Sequence, residues 1–209
     1  MENSNFLDYN NEQASTIEFK NLKILHTWGG YLQRNIIMNL GIQLLELKLV
    51  HVEQITLSGA ISDICNYCIN LTKLELQNCS LKELIHDHEC VKRNSNHKLK
   101  HLVLVSKCSE YFMNKIFKIF VNLEFLECGT STGISDQVVE SNVLYLKKLK
   151  FFKIAHSKAL TISSIHILLD NCSNLQEISD LSSFPNITKT QIQELQKYLT
   201  TSNIDVRLG

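Results

Sequence analysis

The sequence predicts an α/β fold in which short strands and helices alternate along the chain and stack into a solenoid. Two patterns predict it: a leucine phrase with strand spacing that recurs about every 26 residues, and an apolar stripe with helical spacing between consecutive copies. With 209 residues, 44% of them hydrophobic, the chain is long enough to bury a core of its own. We expect a horseshoe of about seven or eight units, with a parallel sheet on its concave side and helices on its convex side.

Each strand is predicted from a phrase of the form Leu-x-x-Leu-x-Leu, as in Leu44, Leu47 and Leu49. The middle positions of its copies are residues 25, 47, 74, 102, 126, 152, 178 and 204, with spacings of 22, 27, 28, 24, 26, 26 and 26 residues. Alternate side chains of an extended chain point to the same side. The last two apolar residues of each phrase should therefore face the core, and the residues around them should face outward.

The helices are predicted from apolar stripes that lie between the strand phrases. The stripes have the i, i+3, i+4, i+7 spacing of one helix face. The same four-residue pattern recurs 52 and 104 residues after its first copy. The three copies are Ile61, Ile64, Cys65 and Cys68, then Met113, Ile116, Phe117 and Phe120, then Ile165, Leu168, Leu169 and Cys172. Intermediate and final copies are Val139, Val143 and Leu146, with Asn142 as a polar member, and Ile192, Leu195 and Leu199. Because no unit could bury its apolar face alone, the units must stack.

One unit departs from the pattern, and this sets the predicted domain boundaries. In the third full unit the stripe positions fall on Glu89, Lys92, Arg93 and Asn96, which are all polar. We therefore predict that residues 82–98 form an irregular polar excursion on the convex side, either a contact loop or a tolerated insertion. The repeat domain is predicted over residues 21–209, and the polar residues 1–20 are predicted to be an arm or an N-terminal cap.

Several phrases are characteristic of one kind of repeat: 71–79 (Leu-Thr-Lys-Leu-Glu-Leu-Gln-Asn-Cys), 134–136 (Ile-Ser-Asp), 160–161 (Leu-Thr), 68–71 (Cys-Ile-Asn-Leu) and 172–175 (Cys-Ser-Asn-Leu). With them the chain resembles the cysteine-containing subclass of the leucine-rich-repeat family over residues 21–208. That subclass is typical of F-box proteins, the substrate receptors of cullin-RING ubiquitin ligases. The resemblance therefore implies a protein partner and a link to ubiquitin-ligase machinery. The residues before Leu22 are too few and too polar for an F-box, so we expect either a fragment or a relative without that segment.

Most of the seven cysteines are interpreted as structural residues, and Cys90 and Cys108 are left unassigned. An odd number in a chain with its own core predicts reduced thiols and a cytoplasmic or nuclear location. Cys65 and Cys68 form a Cys-x-x-Cys motif, which by itself fits a redox pair or half of a zinc site. Because the repeat frame places both thiols on a helix stripe, we predict that they belong to the core.

A metal site is the one cofactor chemistry that the sequence suggests, at His86, His88 and Cys90. These residues share a face only if the segment is extended, and no second ligand pair accompanies them, so a polar surface loop is the preferred interpretation. The sequence has no glycine-rich phosphate loop, no Gly-x-Ser-x-Gly elbow and no His-Glu-x-x-His motif. We therefore predict neither cofactor nor enzymatic activity.

Charge and hydropathy narrow the range of partners. The chain has 21 basic and 21 acidic residues, so a formal net charge of zero argues against a nucleic-acid partner. No apolar run approaches the ~18 residues that a membrane span needs, and the first residues lack the pattern of a secretory leader. We expect neither a nucleic-acid nor a membrane partner.

The strand alternation predicts a binding surface on the concave face. Its expected residues are His101, Val103, Val105, Phe125, Glu127, Phe151, Lys153 and Ala155. An apolar band with a charged rim is typical of a site for a protein or peptide, and coverage by the chain's own termini or by self-association is the alternative. We therefore expect a non-enzymatic interaction module. The other hypotheses are a regulator of an enzyme such as a small GTPase, and a secreted effector or receptor fragment.

Overall fold

The structure is a computed structural model that describes residues 21–82 and 98–209, together with the backbone of 6–7. Over these residues it is an α/β fold with a nine-stranded sheet, as the sequence predicts. Every neighbouring pair of strands in the sheet is parallel. The strands are β1 Phe6–Leu7, β2 Ile24–Trp28, β3 Glu46–Val50, β4 Ile55–Thr56, β5 Lys73–Gln77, β6 Leu81–Lys82, β7 His101–Val105, β8 Phe125–Cys128, β9 Phe151–Ile154, β10 Glu177–Ile178 and β11 Arg207–Leu208.

The sheet follows the order of the chain. Its strand order is β1-β2-β3-β5-β7-β8-β9-β10-β11, and β4 pairs with β6 in a separate parallel pair. The α-helices of the described residues are α1 Arg34–Leu40, α2 Ser62–Tyr67, α3 Glu110–Ile119, α4 Asp136–Asn142, α5 Ile162–Asn171 and α6 Lys189–Thr201. From β7 onward, one α-helix separates each strand of the sheet from the next along the chain. A 3₁₀ turn follows α4 before β9, and another precedes α6 before β11.

Hydroxyl side chains determine where the later helices begin. The side chains of Ser109, Ser135, Thr161 and Thr188 accept hydrogen bonds from backbone N–H groups in the first turns of α3, α4, α5 and α6. Such caps satisfy N–H groups that have no partner within the helix. At α6 the side chain of Gln191 also accepts from the backbone N–H of Thr188, which completes a capping box.

The core lies between the sheet and the helices. Strand residues that alternate along each phrase are buried, for example Leu74 and Leu76 on β5. The helix stripes pack against them, which confirms the predicted stripe positions. Leu169 and Ile192 are the two stripe members that remain half-buried. The four cysteines predicted in the core, Cys65, Cys68, Cys128 and Cys172, are buried.

The last predicted strand phrase is wrong in its register. The expected core positions were Ile204 and Val206, but Leu208 pairs with Ile178 on β10 and Arg207 pairs with Glu177. The reason is the length of α6, which has 13 residues where α5 has 10, so the chain reaches the sheet later.

Two predicted segments lie largely outside the described residues. Of the predicted excursion 82–98, the structure describes Lys82 and Lys98 alone. His86, His88 and Cys90, the hypothetical metal ligands, fall in the part that it does not describe. Within the predicted N-terminal arm, the backbone of 6–7 adds a strand to the edge of the sheet beside β2.

Candidate interaction surface

The sheet has one face that the helices of residues 21–82 and 98–209 do not cover, and we call it the open face. Its side chains alternate with those of the core, and the strand register aligns them in rows across the sheet. One row is Ile24, Glu46, Lys73, His101, Phe125, Phe151, Glu177 and Arg207. The next row is His26, Lys48, Glu75, Val103, Glu127 and Lys153. The open face is therefore a regular grid of side chains built by consecutive strands.

Three rings stand next to one another in the first row, and we call them the aromatic row. The ring centroids of His101 and Phe125 are 5.4 Å apart, and those of Phe125 and Phe151 are 6.0 Å apart. The rings are tilted by 49° and 41°, within the range of favourable aromatic pairs. His101 is exposed and both phenylalanines are half-buried. The aromatic row is thus an apolar strip at the middle of the open face.

The structure places the eight predicted surface residues on β7, β8, β9 and the residue after β9, and all eight belong to the open face. Val103 differs from the expectation, because its side chain is only 8% exposed and offers almost no surface to a partner. Val105 is half-buried and Ala155 is exposed. The apolar surface is therefore centred on the aromatic row rather than on the valines.

A depression of about 310 Å³ lies beside the aromatic row. Its lining residues are Phe125, Glu127, Lys153, Ile154, Ala155 and Ser179. Gly129 follows β8 in the chain, and a Cβ atom built there would come within 3.1 Å of the Cα atom of Val105. A side chain at this position would require Val105 to shift by a few tenths of an ångström. The sequence analysis did not predict this depression.

Ion pairs flank the aromatic row on one side. Lys73 Nζ lies 2.8 Å from Glu75 and 3.8 Å from Glu46, and Lys48 Nζ lies 3.0 Å from Glu75. Burial alone would raise the pKa of Glu75, but the hydrogen bonds from Lys73 and Lys48 outweigh it, and the pKa lies below its ordinary value. The Glu75 hydrogen bond also raises the pKa of Lys73. These four side chains are largely satisfied by one another.

On the other side of the aromatic row, the charges converge on one carboxylate. Glu177 pairs with Lys153 and, at 2.8 Å, with Arg207. The sequence predicted a charged rim but not which charges pair. The sequence spacing of the charged residues could have indicated these pairs. The two partners of a pair stand about one repeat apart and so meet on neighbouring strands, as Lys48 does with Glu75 and Lys153 with Glu177.

A second cavity, of about 220 Å³, lies between α1 and the turn that precedes α2. Its charged side chains include Arg34 and Asp63, which pair with each other at 3.1 Å. Trp28 and Tyr31 are exposed near it by 63% and 60%. This cavity shares no residue with the predicted binding surface.

Several of the buried cysteines have raised pKa values. Burial raises the pKa of Cys68 to about 12 and that of Cys172 to about 11, so both thiols stay protonated at neutral pH. In the described part of the chain, no group of three or more His, Cys, Asp or Glu residues is arranged to hold a metal ion. None of the helices described there is both long and apolar enough to cross a membrane.

The fold and the open face define an α/β protein whose parallel sheet is covered by helices on one side. No known family model matches the chain, and no curated protein matches it significantly.

Proposed function

We propose that the chain is a leucine-rich-repeat solenoid that acts as a non-enzymatic interaction module and binds a protein or peptide on its open face. The observation that carries this proposal is the aromatic row, which holds Phe125 and Phe151 on adjacent strands of the open face. Aromatic side chains supply much of the energy of protein interfaces, and ion pairs at the edge supply orientation. The open face has both.

The strand order and register support the solenoid in this proposal. Consecutive strands pair in parallel at equivalent positions, for example Leu47 with Leu74 and Leu74 with Leu102. Contacts run between elements of adjacent units, such as α3 with α4 and α4 with α5. Contacts of this kind are expected in a repeat protein, in which each unit packs on its neighbours, and they support the proposal. By the sequence resemblance, the partner would be of the kind held by the substrate-recognition repeats of F-box receptors, and ubiquitin-ligase subunits are among the partners expected.

The first test removes the aromatic row. Affinity capture from a lysate of the source cells is compared between the wild-type chain and the double variant Phe125→Ala/Phe151→Ala. We expect a partner whose capture falls about tenfold or more, because loss of two interface aromatics costs at least ~1.4 kcal/mol of binding free energy. Quantitative mass spectrometry measures the captured proteins.

The matched control is Ile42→Ala/Leu144→Ala. Ile42 and Leu144 are 61% and 68% exposed and lie in 3₁₀ turns of the helical layer, away from the open face. This variant should capture the same partner as the wild-type chain. Circular dichroism and urea unfolding check that both double variants are folded. If no captured protein distinguishes the two variants, the open face is not the binding surface.

A further inference from the structure

We propose that the depression beside the aromatic row receives a cationic side chain, arginine or lysine, from the partner. This inference rests on the proposed function and adds the chemistry of the residue that the partner inserts. It depends on two features of the depression, the carboxylate of Glu127 and the ring of Phe125.

Among the described residues, Glu127 forms no salt bridge of its own. Glu127 is half-buried on β8. Lys153 is its neighbour on β9, but Lys153 Nζ pairs with Glu177 on the far side. Both side chains line the depression, and the ammonium group of Lys153 is already paired with Glu177 whereas the carboxylate of Glu127 has no such pair among the described residues.

A partner that covers the depression must supply the missing charge. Covering Glu127 removes water from its carboxylate, and burying an ionised carboxylate without a counterion is strongly unfavourable. An aliphatic side chain would not offset this loss of hydration, and an acidic side chain would also repel the carboxylate of Glu127. A guanidinium or ammonium group compensates the charge and donates hydrogen bonds to the carboxylate.

The aromatic row favours the same occupant. A cation within about 6 Å of a ring centroid is attracted to the face of the ring. Phe125 lines the depression directly. The ring centroid of Phe151 lies 6.0 Å from that of Phe125. The volume of about 310 Å³ is at the lower end of the range for small-ligand pockets, which suits one long side chain rather than a folded element.

The experiment selects random linear peptides displayed on phage against the folded chain, with the Phe125→Ala/Phe151→Ala variant as the subtractive background. We expect the enriched peptides to share an arginine or lysine at one aligned position. Synthetic peptides from the selection, with that residue intact or changed to glutamine, are then titrated calorimetrically against the wild-type chain and against Glu127→Gln.

The expected result is coupling between the two charges. Removing the peptide cation should weaken binding to the wild-type chain about tenfold and should have little effect on binding to Glu127→Gln. Glu46→Gln is the matched control, since Glu46 is a half-buried glutamate on β3 of the same face and is paired with Lys73. That variant should keep the full effect of the peptide cation.

Two different failures are distinguishable. Peptides that require the aromatic row but carry an apolar or acidic residue at the aligned position, or that show no coupling to Glu127, overturn this inference and leave the proposed function standing. If no peptide distinguishes the wild-type chain from the phenylalanine variant, the proposed binding surface is wrong, and the inference falls with it.

Discussion

Glu124 shows how a single residue links three units. Its carboxylate lies 2.8 Å from Lys100 Nζ and 2.7 Å from Lys150 Nζ, at the positions just before β7, β8 and β9. The hydrogen bonds from these two lysines lower the pKa of Glu124 to about 2. Because the side chain is 23% exposed and Lys100 is 55% exposed, solvent screens much of this interaction.

The change Glu124→Gln tests this bridge. A carboxyl group whose pKa is lower in the folded chain than in the unfolded chain stabilises the fold above its unfolded pKa of roughly 4.3. We expect the variant to lose about 1 kcal/mol of unfolding free energy at pH 7, a value reduced for solvent screening. The difference should shrink as the pH falls from about 4.5 toward 2. Urea unfolding at several pH values measures it.

Glu140→Gln is the control for that experiment. Glu140 is exposed on α4, and no described ion pair includes it. Its substitution should change the unfolding free energy by less than about 0.5 kcal/mol at every pH. An equal loss in both variants, or a loss at Glu124 that does not depend on pH, would show that the two lysines do not stabilise the carboxylate.

The start of helix α4 is hydrogen-bonded to the start of helix α5. Asp136 is the first residue of α4, and its carboxylate accepts hydrogen bonds from the backbone N–H of Thr161 at 2.9 Å and from the Thr161 hydroxyl at 2.7 Å. The hydroxyl of Ser164 on α5 donates to the same carboxylate. The carboxylate at the start of α4 therefore also binds polar groups at the start of α5, and these hydrogen bonds fix the spacing of the two helices.

We expect Asp136→Ala to lower the free energy of unfolding by about 1–3 kcal/mol, because the change leaves the donors of Thr161 and Ser164 without their acceptor. Gln137→Ala is the matched control, since Gln137 is exposed on the same helix turn and hydrogen-bonds only locally, to Ser141. It should cost less than about 0.5 kcal/mol. Urea denaturation of both variants makes the comparison, and equal midpoints would contradict the role of Asp136.

Elements with a strong period could be predicted from the sequence, and the others could not. The stripe of α3 and the phrase of β7 were predictable because burial on one face imposes a period of 3.6 on a helix and of 2 on a strand. Helix α1 was missed because Ile37 is its one buried residue. The register of β11 was missed because it depends on where α6 ends, and helix ends are weakly encoded by periodicity.

For the candidate surface, the sequence predicted which residues share a face but not their surroundings. Alternation placed Phe125 and Phe151 on the open face correctly. It could not show that Val103 is covered, because burial on the outer face depends on the neighbouring side chains rather than on the strand's own period. The depression likewise brings together residues from β8, β9 and the residue after β10, and no local pattern reports how they enclose a volume.

At the scale of the whole molecule, the pattern of contacts determines how the chain should unfold. The strands of the sheet follow the chain order, and helices contact the helices of adjacent units. In the described part of the chain, the larger contacts join neighbouring elements, and an array built in this way can open locally. A weakened unit should therefore expose its own amides and those of its neighbours before the rest.

Leu168→Ala tests this property. Leu168 is fully buried on α5, so its truncation should cost about 2–5 kcal/mol through lost contacts and a cavity. We expect hydrogen exchange, measured by mass spectrometry, to accelerate more than tenfold in α5, β9 and α4, while β3 and β5 keep their wild-type protection. Leu74→Ala is the reciprocal variant, because Leu74 on β5 is equally buried. It should accelerate exchange in β5 and its neighbouring strands and leave α5 with its wild-type protection. Uniform acceleration in both variants would mean that the units unfold as one cooperative block, and that neighbour contacts alone do not govern stability.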